Sequence, residues 1–133
     1  MNPIPSQPIR VLAVSDHPLS AWGLQRFVES LDPRAESTGS AANATEARRE
    51  LGERPVDIIV VDLDGSIGID AVADLATASP ARVIALTASN ELSLHDGAIL
   101  AGARGVVTKS EPQEALAKAI ERVHVGEFWI GRA

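Results

Sequence analysis

The sequence has 133 residues, no cysteine, and 12 Lys and Arg against 18 Asp and Glu, for a formal net charge of −6. This length suits a single domain, and the absence of cysteine excludes disulfides and thiol chemistry and fits a cytoplasmic protein. The negative charge and the 3% aromatic content argue against nucleic-acid binding by this chain alone, and no apolar run is long enough to predict a membrane span.

The chain alternates between short apolar runs and amphipathic stretches. Residues 1–8 contain three prolines and predict a disordered leader. Five apolar runs then predict strands, at residues 9–14, 35–39, 57–62, 82–87 and 105–108. The third run contains Ile58-Ile59-Val60-Val61, whose mostly β-branched side chains are typical of a parallel strand that is buried on both faces.

Helical spacing separates these runs. The first stripe has apolar residues at i, i+3, i+4 and i+7 over 24–31 and is expected to end at Asp32-Pro33. Capping boxes at Asn43–Glu46 and Ser110–Gln113 predict the starts of the second and fifth helices. Further stripes over 69–76 and 94–101 predict the third and fourth helices. Alternating strands and helices with short loops predict one doubly wound parallel sheet.

Polar residues lie at the ends of several predicted strands. Asp16 follows the first strand, Asp62 ends the third, Thr87 ends the fourth, and Lys109 follows the fifth. Because sites in such sheets lie outside the carboxyl ends of the strands, we expect these side chains to converge on one rim. Two carboxylates could hold Mg²⁺, one could accept a phosphoryl group, and the ammonium and hydroxyl groups could neutralise its charge.

Five segments carry a further signal, in order and at fitting distances: residues 11–19, 39–47, 57–63, 83–88 and 101–109. Together they resemble the receiver domains of two-component response regulators, specifically the LuxR-type (NarL/FixJ-like) branch. The resemblance implies a flavodoxin-like α/β fold, with a five-stranded parallel sheet in the order 2-1-3-4-5 and helices on both faces. It also implies a receiver domain over residues 9–126 and the start of an interdomain linker over 127–133.

The same resemblance implies a role for each residue of the rim. Asp62 would accept the phosphoryl group, and Thr87 and Lys109 would contact the phosphoryl oxygens; these three are the expected catalytic residues. Mg²⁺ would be held by Asp16, Asp62 and Asp64, the last through its backbone carbonyl. The domain would be a phosphoacceptor rather than an enzyme, at most catalysing its own phosphotransfer and dephosphorylation.

Partners follow from the resemblance as well. A sensor histidine kinase would donate the phosphoryl group, and phosphorylation would switch homodimer formation or the output of a transcription factor. DNA would be bound through a helix-turn-helix domain after residue 133. The expected location is the cytoplasm.

Four features depart from the family pattern. Ser15 replaces the first member of an acidic pair, Asp64-Gly65 stands where Met-Pro is usual, Val106 replaces a switch aromatic, and Ser110 replaces a proline. Ser15 predicts weaker Mg²⁺ binding, and the Asp64 carboxylate could either compensate for it or repel incoming phosphate. An atypical receiver that signals without phosphate, through protein contacts or a bound ligand, is therefore an alternative. A flavodoxin-like hydrolase or flavin protein is a third.

Overall fold

Six parallel strands alternate with five helices over residues 7–130, the part of the chain described by this computed structural model. The strands are β1 (Ile9–Val14), β2 (Ala35–Ala41), β3 (Ile58–Asp62), β4 (Arg82–Thr87), β5 (Gly105–Thr108) and β6 (Trp129–Ile130). The helices are α1 (Pro18–Glu29), α2 (Ala44–Glu53), α3 (Ile69–Ala78), α4 (Leu92–Leu100) and α5 (Gln113–His124). Most of the leader predicted over residues 1–8 lies outside the described residues.

The strand order is β2-β1-β3-β4-β5-β6, and every neighbouring pair is parallel. The flavodoxin-like doubly wound fold is therefore confirmed, with one strand more than expected. β6 extends the sheet because Gly126, with φ +99°, turns the chain after α5 and the Trp129 amide then donates to the Arg104 carbonyl at 3.0 Å. A strand of two residues is too short to show an apolar pattern. Residues 131–133 of the predicted linker lie outside the described part.

The sheet separates two apolar layers. Successive side chains of a strand point to opposite faces, so the consecutive apolar residues of β3 supply both layers. Ile59 and Val61 pack with Val72 and Leu75 of α3, whereas Ile58 and Val60 pack on the other face. That second layer is completed by Val28 of α1 and by four residues of α5, namely Leu116, Ala119, Ile120 and Val123. Each fully buried aliphatic side chain contributes about 1.5–3 kcal/mol.

The two predicted capping boxes have different outcomes. Asn43 does cap α2, because its side-chain oxygen accepts from the Glu46 amide at 2.9 Å. The box at Ser110–Gln113 is wrong, since α5 begins after Pro112 without a side-chain cap. Glu111 instead accepts from the amide and the hydroxyl of Thr108, at 3.0 and 2.9 Å, and so closes the end of β5.

Helix α1 lies earlier than its apolar stripe indicated. Pro18 occupies its first turn, where a missing amide hydrogen is harmless, and the helix ends at Glu29. Within residues 7–130, no helix has the length and apolar character needed to cross a membrane.

Candidate functional site

The carboxyl ends of β3, β4 and β5 bring three of the expected site residues together. Asp62 and Thr87 are each 1% exposed, and the Lys109 side chain is 34% exposed. The parallel register pairs Asp62 with Leu86 and Thr87 with Thr108, so adjacent strands end side by side. The Lys109 amide also donates to the Thr87 carbonyl at 2.8 Å, which directs the lysine back across the rim.

Asp62 is a buried carboxylate with three hydrogen-bond donors. Its Oδ1 accepts from Lys109 Nζ and from the Asp64 amide, both at 3.0 Å, and its Oδ2 accepts from the Ser15 hydroxyl at 3.1 Å. A charge buried to this degree is tolerable only when it is paired and hydrogen-bonded. Lys109 and these donors therefore let Asp62 stay buried as an anion.

The Asp64 side chain, which was expected either to compensate for Ser15 or to repel phosphate, is hydrogen-bonded to other residues of the rim. Its Oδ1 accepts from the Thr87 hydroxyl at 2.8 Å. The Ala88 amide donates to both oxygens, at 3.0 and 2.8 Å, and Lys109 Nζ lies 2.8 Å from Oδ2. One hydroxyl, one amide and one ammonium thus converge on this carboxylate.

The charges of Asp64 and Lys109 are mutually stabilised. Burial raises the pKa of Asp64, but the hydrogen bonds from Lys109, Thr87 and Ala88 outweigh it and leave the pKa below its ordinary value. Burial likewise lowers the pKa of Lys109, while its bonds to Asp64 and Asp62 outweigh that effect and raise it. At neutral pH both groups are charged.

Asp16 faces the loop that follows β3. Its Oδ2 accepts from the Ser66 amide at 2.7 Å and from the Ser66 hydroxyl, and these bonds lower the pKa of Asp16. The carboxylate lies against Gly65, where an added Cβ would be 1.9 Å from Asp16 Oδ1. Glycine at 65 is therefore required for this close approach.

The expected side-chain ligands of Mg²⁺ are two carboxylates, Asp16 and Asp62. Among residues 7–130, no group of three or more His, Cys, Asp or Glu side chains is arranged to hold a metal ion. Asp16 Oδ1 is nevertheless buried and has no hydrogen-bond partner within the described part of the chain. Mg²⁺ commonly binds through one or two carboxylates and keeps several waters. Asp16, through its unpartnered Oδ1, fits such a hydrated ion.

A cavity of about 300 Å³ opens beside Asp62, between α1 and α5. Its walls are mainly apolar and include Leu24, Phe27 and Leu116, and it reaches Asp62 and Lys109. The cavity gives access to Asp62 from the α1 side of the rim, away from Asp64 and Thr87.

Val106 stands where the family usually has a switch aromatic. Val106 is buried in the same apolar layer as Val72 and Ala98. It has neither the length to reach the rim nor a polar atom to exchange between two environments. Any relay from the rim must therefore use other groups.

The sequence of this chain matches a known family over most of its length. The family model of the response regulator receiver domain matches residues 11–121. The chain belongs to the response regulator receiver domain family. A receiver is a regulatory domain rather than a classical enzyme, and this membership excludes an unrelated flavodoxin-like hydrolase or flavin protein.

Two curated relatives place this receiver domain in the NarL-like branch. It is 32% identical over 122 residues to the nitrate/nitrite response regulator protein homolog of Haemophilus influenzae, covering 90% of this chain and 58% of that protein. It is 34% identical over 116 residues to the nitrate/nitrite response regulator protein NarP of Escherichia coli, covering 85% and 54%. The chain thus spans little more than half the length of these relatives.

Solved structures agree with this placement. A LuxR family two-component response regulator from an Aurantimonas species superposes on this receiver with a TM-score of 0.82 and 33% identity, covering 92% of this chain and 89% of that one. The signal receiver domain of NarL from Mycobacterium tuberculosis superposes with a TM-score of 0.79 and 25% identity, covering 91% and 99%. The predicted family and branch are confirmed.

Proposed function

We propose that this receiver domain accepts a phosphoryl group on Asp62, with Thr87 and Lys109 as the other catalytic residues. The observation that carries the proposal is the buried Asp62 carboxylate, held at 3.0 Å by Lys109 Nζ at the carboxyl edge of the sheet. A carboxylate can act as a nucleophile toward phosphorus when the charge of the phosphoryl oxygens is neutralised. Lys109 supplies a positive charge there, and Thr87 supplies a hydroxyl donor.

The donor in this proposal is a phosphohistidine of a sensor histidine kinase. An oxygen of Asp62 forms the new bond to phosphorus while the P–N bond of the phosphohistidine breaks. The bonding electrons of the P–N bond return to the imidazole, which takes up a proton. A bound Mg²⁺, held by Asp16, Asp62 and the Asp64 backbone carbonyl, would neutralise further phosphoryl charge.

The output belongs to the same proposal. Phosphorylation of Asp62 would favour a homodimer, and DNA would be bound by a helix-turn-helix domain beyond residue 133 rather than by this acidic domain. The curated relatives, which are longer than this chain and are response regulators by name, support this organisation. A cytoplasmic location is part of the proposal.

Labelling with a small phosphodonor tests the acceptor. The protein is incubated with Mg²⁺ and acetyl phosphate, and its intact mass is followed over time. We expect a phosphoryl adduct in the wild-type chain and none in Asp62→Asn, which retains the shape of the side chain but lacks the nucleophilic charge. An adduct that persists in Asp62→Asn would show that another residue accepts the phosphoryl group.

A second candidate function is signalling without phosphate, through protein contacts or a bound ligand. The contacts of the Asp64 side chain favour it, because a carboxylate of the chain already binds Thr87, Ala88 and Lys109. The same labelling experiment separates the candidates. No adduct in the wild-type chain, under conditions that label another receiver of the family, would favour this second function.

A further inference from the structure

The Asp64 carboxylate binds the groups that a phosphoryl oxygen would need. Both are anionic, and both accept hydrogen bonds through oxygen, so donors that suit one also suit the other. Thr87 and Lys109 are the residues proposed above to contact the phosphoryl group, and each lies 2.8 Å from an Asp64 oxygen. The Ala88 amide completes the donor set by donating to both oxygens.

We propose that the Asp64 side chain is a built-in ligand of Thr87, Ala88 and Lys109, and that it competes with a phosphoryl group on Asp62 for Thr87 and Ala88. The inference rests on the proposed function and concerns the regulation of the same site. In the unphosphorylated chain, Asp64 holds the donors; phosphorylation requires the Asp64 carboxylate to release them.

Competition follows from the number of protons available. The Thr87 hydroxyl and the Ala88 amide each have one hydrogen to donate, and both hydrogens are directed to Asp64. Neither group can serve a phosphoryl oxygen at the same time. Lys109 has three hydrogens and already contacts both Asp62 and Asp64, so it can be shared. Asp64 and a phosphoryl group on Asp62 would therefore compete only for the hydrogens of Thr87 and Ala88.

The hydrogen bond between Thr87 and Asp64 is linked to the loop before α4 by further hydrogen bonds. Thr87 Oγ1 donates to Asp64 and accepts from the Ser89 amide at 3.1 Å. The Ser89 carbonyl is 2.8 Å from Nε2 of His95, a side chain that is buried within α4. An anion at Asp64 thus fixes the β4–α4 loop without phosphate, through a chain of hydrogen bonds that ends in a buried residue.

Removal of the Asp64 side chain tests the competition. We expect Asp64→Ala to be labelled by acetyl phosphate and Mg²⁺ at least about tenfold faster than the wild-type chain, because hydrogen bonds to charged groups contribute enough to shift an equilibrium by that factor. Asp74→Ala is the matched control, since it removes a carboxylate that pairs with Arg48 at 3.4 Å on the surface. Asp64→Asn keeps the shape of the side chain without its charge, so its labelling rate should lie between the rates of Asp64→Ala and Asp74→Ala. Labelling of Asp64→Ala at or below the wild-type rate would overturn the inference.

A measurement without phosphodonor separates this inference from the proposed function. In amide hydrogen exchange followed by NMR, the Ala88 amide should exchange faster in Asp64→Ala and stay protected in Asp74→Ala. Unchanged Ala88 exchange in Asp64→Ala would overturn the inference even if Asp62 is labelled. Faster Ala88 exchange in Asp64→Ala, with no labelling of any variant, would support the contact and contradict Asp62 as the acceptor.

Discussion

The two sides of the rim differ in how many of their polar groups already contact a carboxylate of the chain. On the anion side, defined here as Thr87, Ala88 and Lys109, every group contacts a carboxylate of the chain. On the cation side, defined as Ser15 and Asp16, a serine bonds to Asp62 and the remaining carboxylate turns to the loop after β3. The donors for an anion are complete, whereas only Asp16 of this pair is a carboxylate that could bind a cation.

This difference shows that the two parts of a phosphoryl-acceptor site are separable. Oxygen ligands for a cation and hydrogen donors for an anion come from different strands and loops, so one set can weaken while the other persists. In this chain Ser15 donates to Asp62, where a second acid would repel it. Substitutions at Lys109, Gly65 and Ser15 test the two sides separately.

Lys109→Met should produce the largest loss, because Lys109 neutralises Asp62 and Asp64 together. Without Lys109 the buried Asp62 carboxylate loses its cation, and we expect the free energy of unfolding to fall by about 3 kcal/mol. Urea denaturation at pH 7 measures this change. Phosphoryl labelling should also be lost. Lys118→Met, at an exposed site on the same protein, is the control. Equal stability of the two variants would show that the anion side does not depend on Lys109.

Gly65→Ala should disturb the cation side. The new Cβ would lie 1.9 Å from Asp16 Oδ1, so the carboxylate or the loop must move. Asp16 would then lose its hydrogen bonds from Ser66, so the free energy of unfolding should fall, by less than in Lys109→Met. The control is Gly52→Ala in α2, where no described atom beyond its chain neighbours and the α2 backbone lies within 4 Å of the added Cβ and alanine should stabilise the helix by about 0.5–1 kcal/mol. Urea denaturation of both variants gives the comparison, and a neutral Gly65→Ala would refute the close approach of Asp16.

Ser15→Asp should bring the cation side closer to the family pattern. The new carboxylate would stand beside Asp62, where Ser15 now donates at 3.1 Å, so without metal the two like charges should lower the free energy of unfolding by about 1 kcal/mol. With Mg²⁺ this loss should be recovered, and the affinity for Mg²⁺ should rise by about tenfold. Thermal unfolding with and without Mg²⁺ and a calorimetric titration measure both effects. Ser15→Ala controls for loss of the hydroxyl, and unchanged Mg²⁺ affinity in Ser15→Asp would contradict the expected role of position 15.

Most of the fold was predictable because hydrophobic periodicity reports burial directly. Ile58 to Val61 are apolar without interruption, and the strand they form is buried on both faces as expected. Asn43 predicts its helix start through a local hydrogen bond to Glu46, which needs no tertiary context. The same reasoning fails at Ser110, because its hydroxyl lies 3.2 Å from the Thr108 hydroxyl and α5 begins only after Pro112. β6 is too short to leave a pattern at all.

The apolar pattern is enough to predict the order of elements and hence which residues lie at the carboxyl ends of parallel strands. Asp62, Thr87 and Lys109 are expected on one rim for that reason. The pattern does not predict which oxygen accepts from which donor, because side-chain directions in the loop after β3 depend on neighbours distant in sequence. The Asp64 carboxylate was expected near Asp62, either to help bind a metal or to repel phosphate, but its contacts with Thr87 and Ala88, more than twenty residues along the chain, were not predicted. Those contacts are the basis for proposing that this receiver regulates its own phosphorylation.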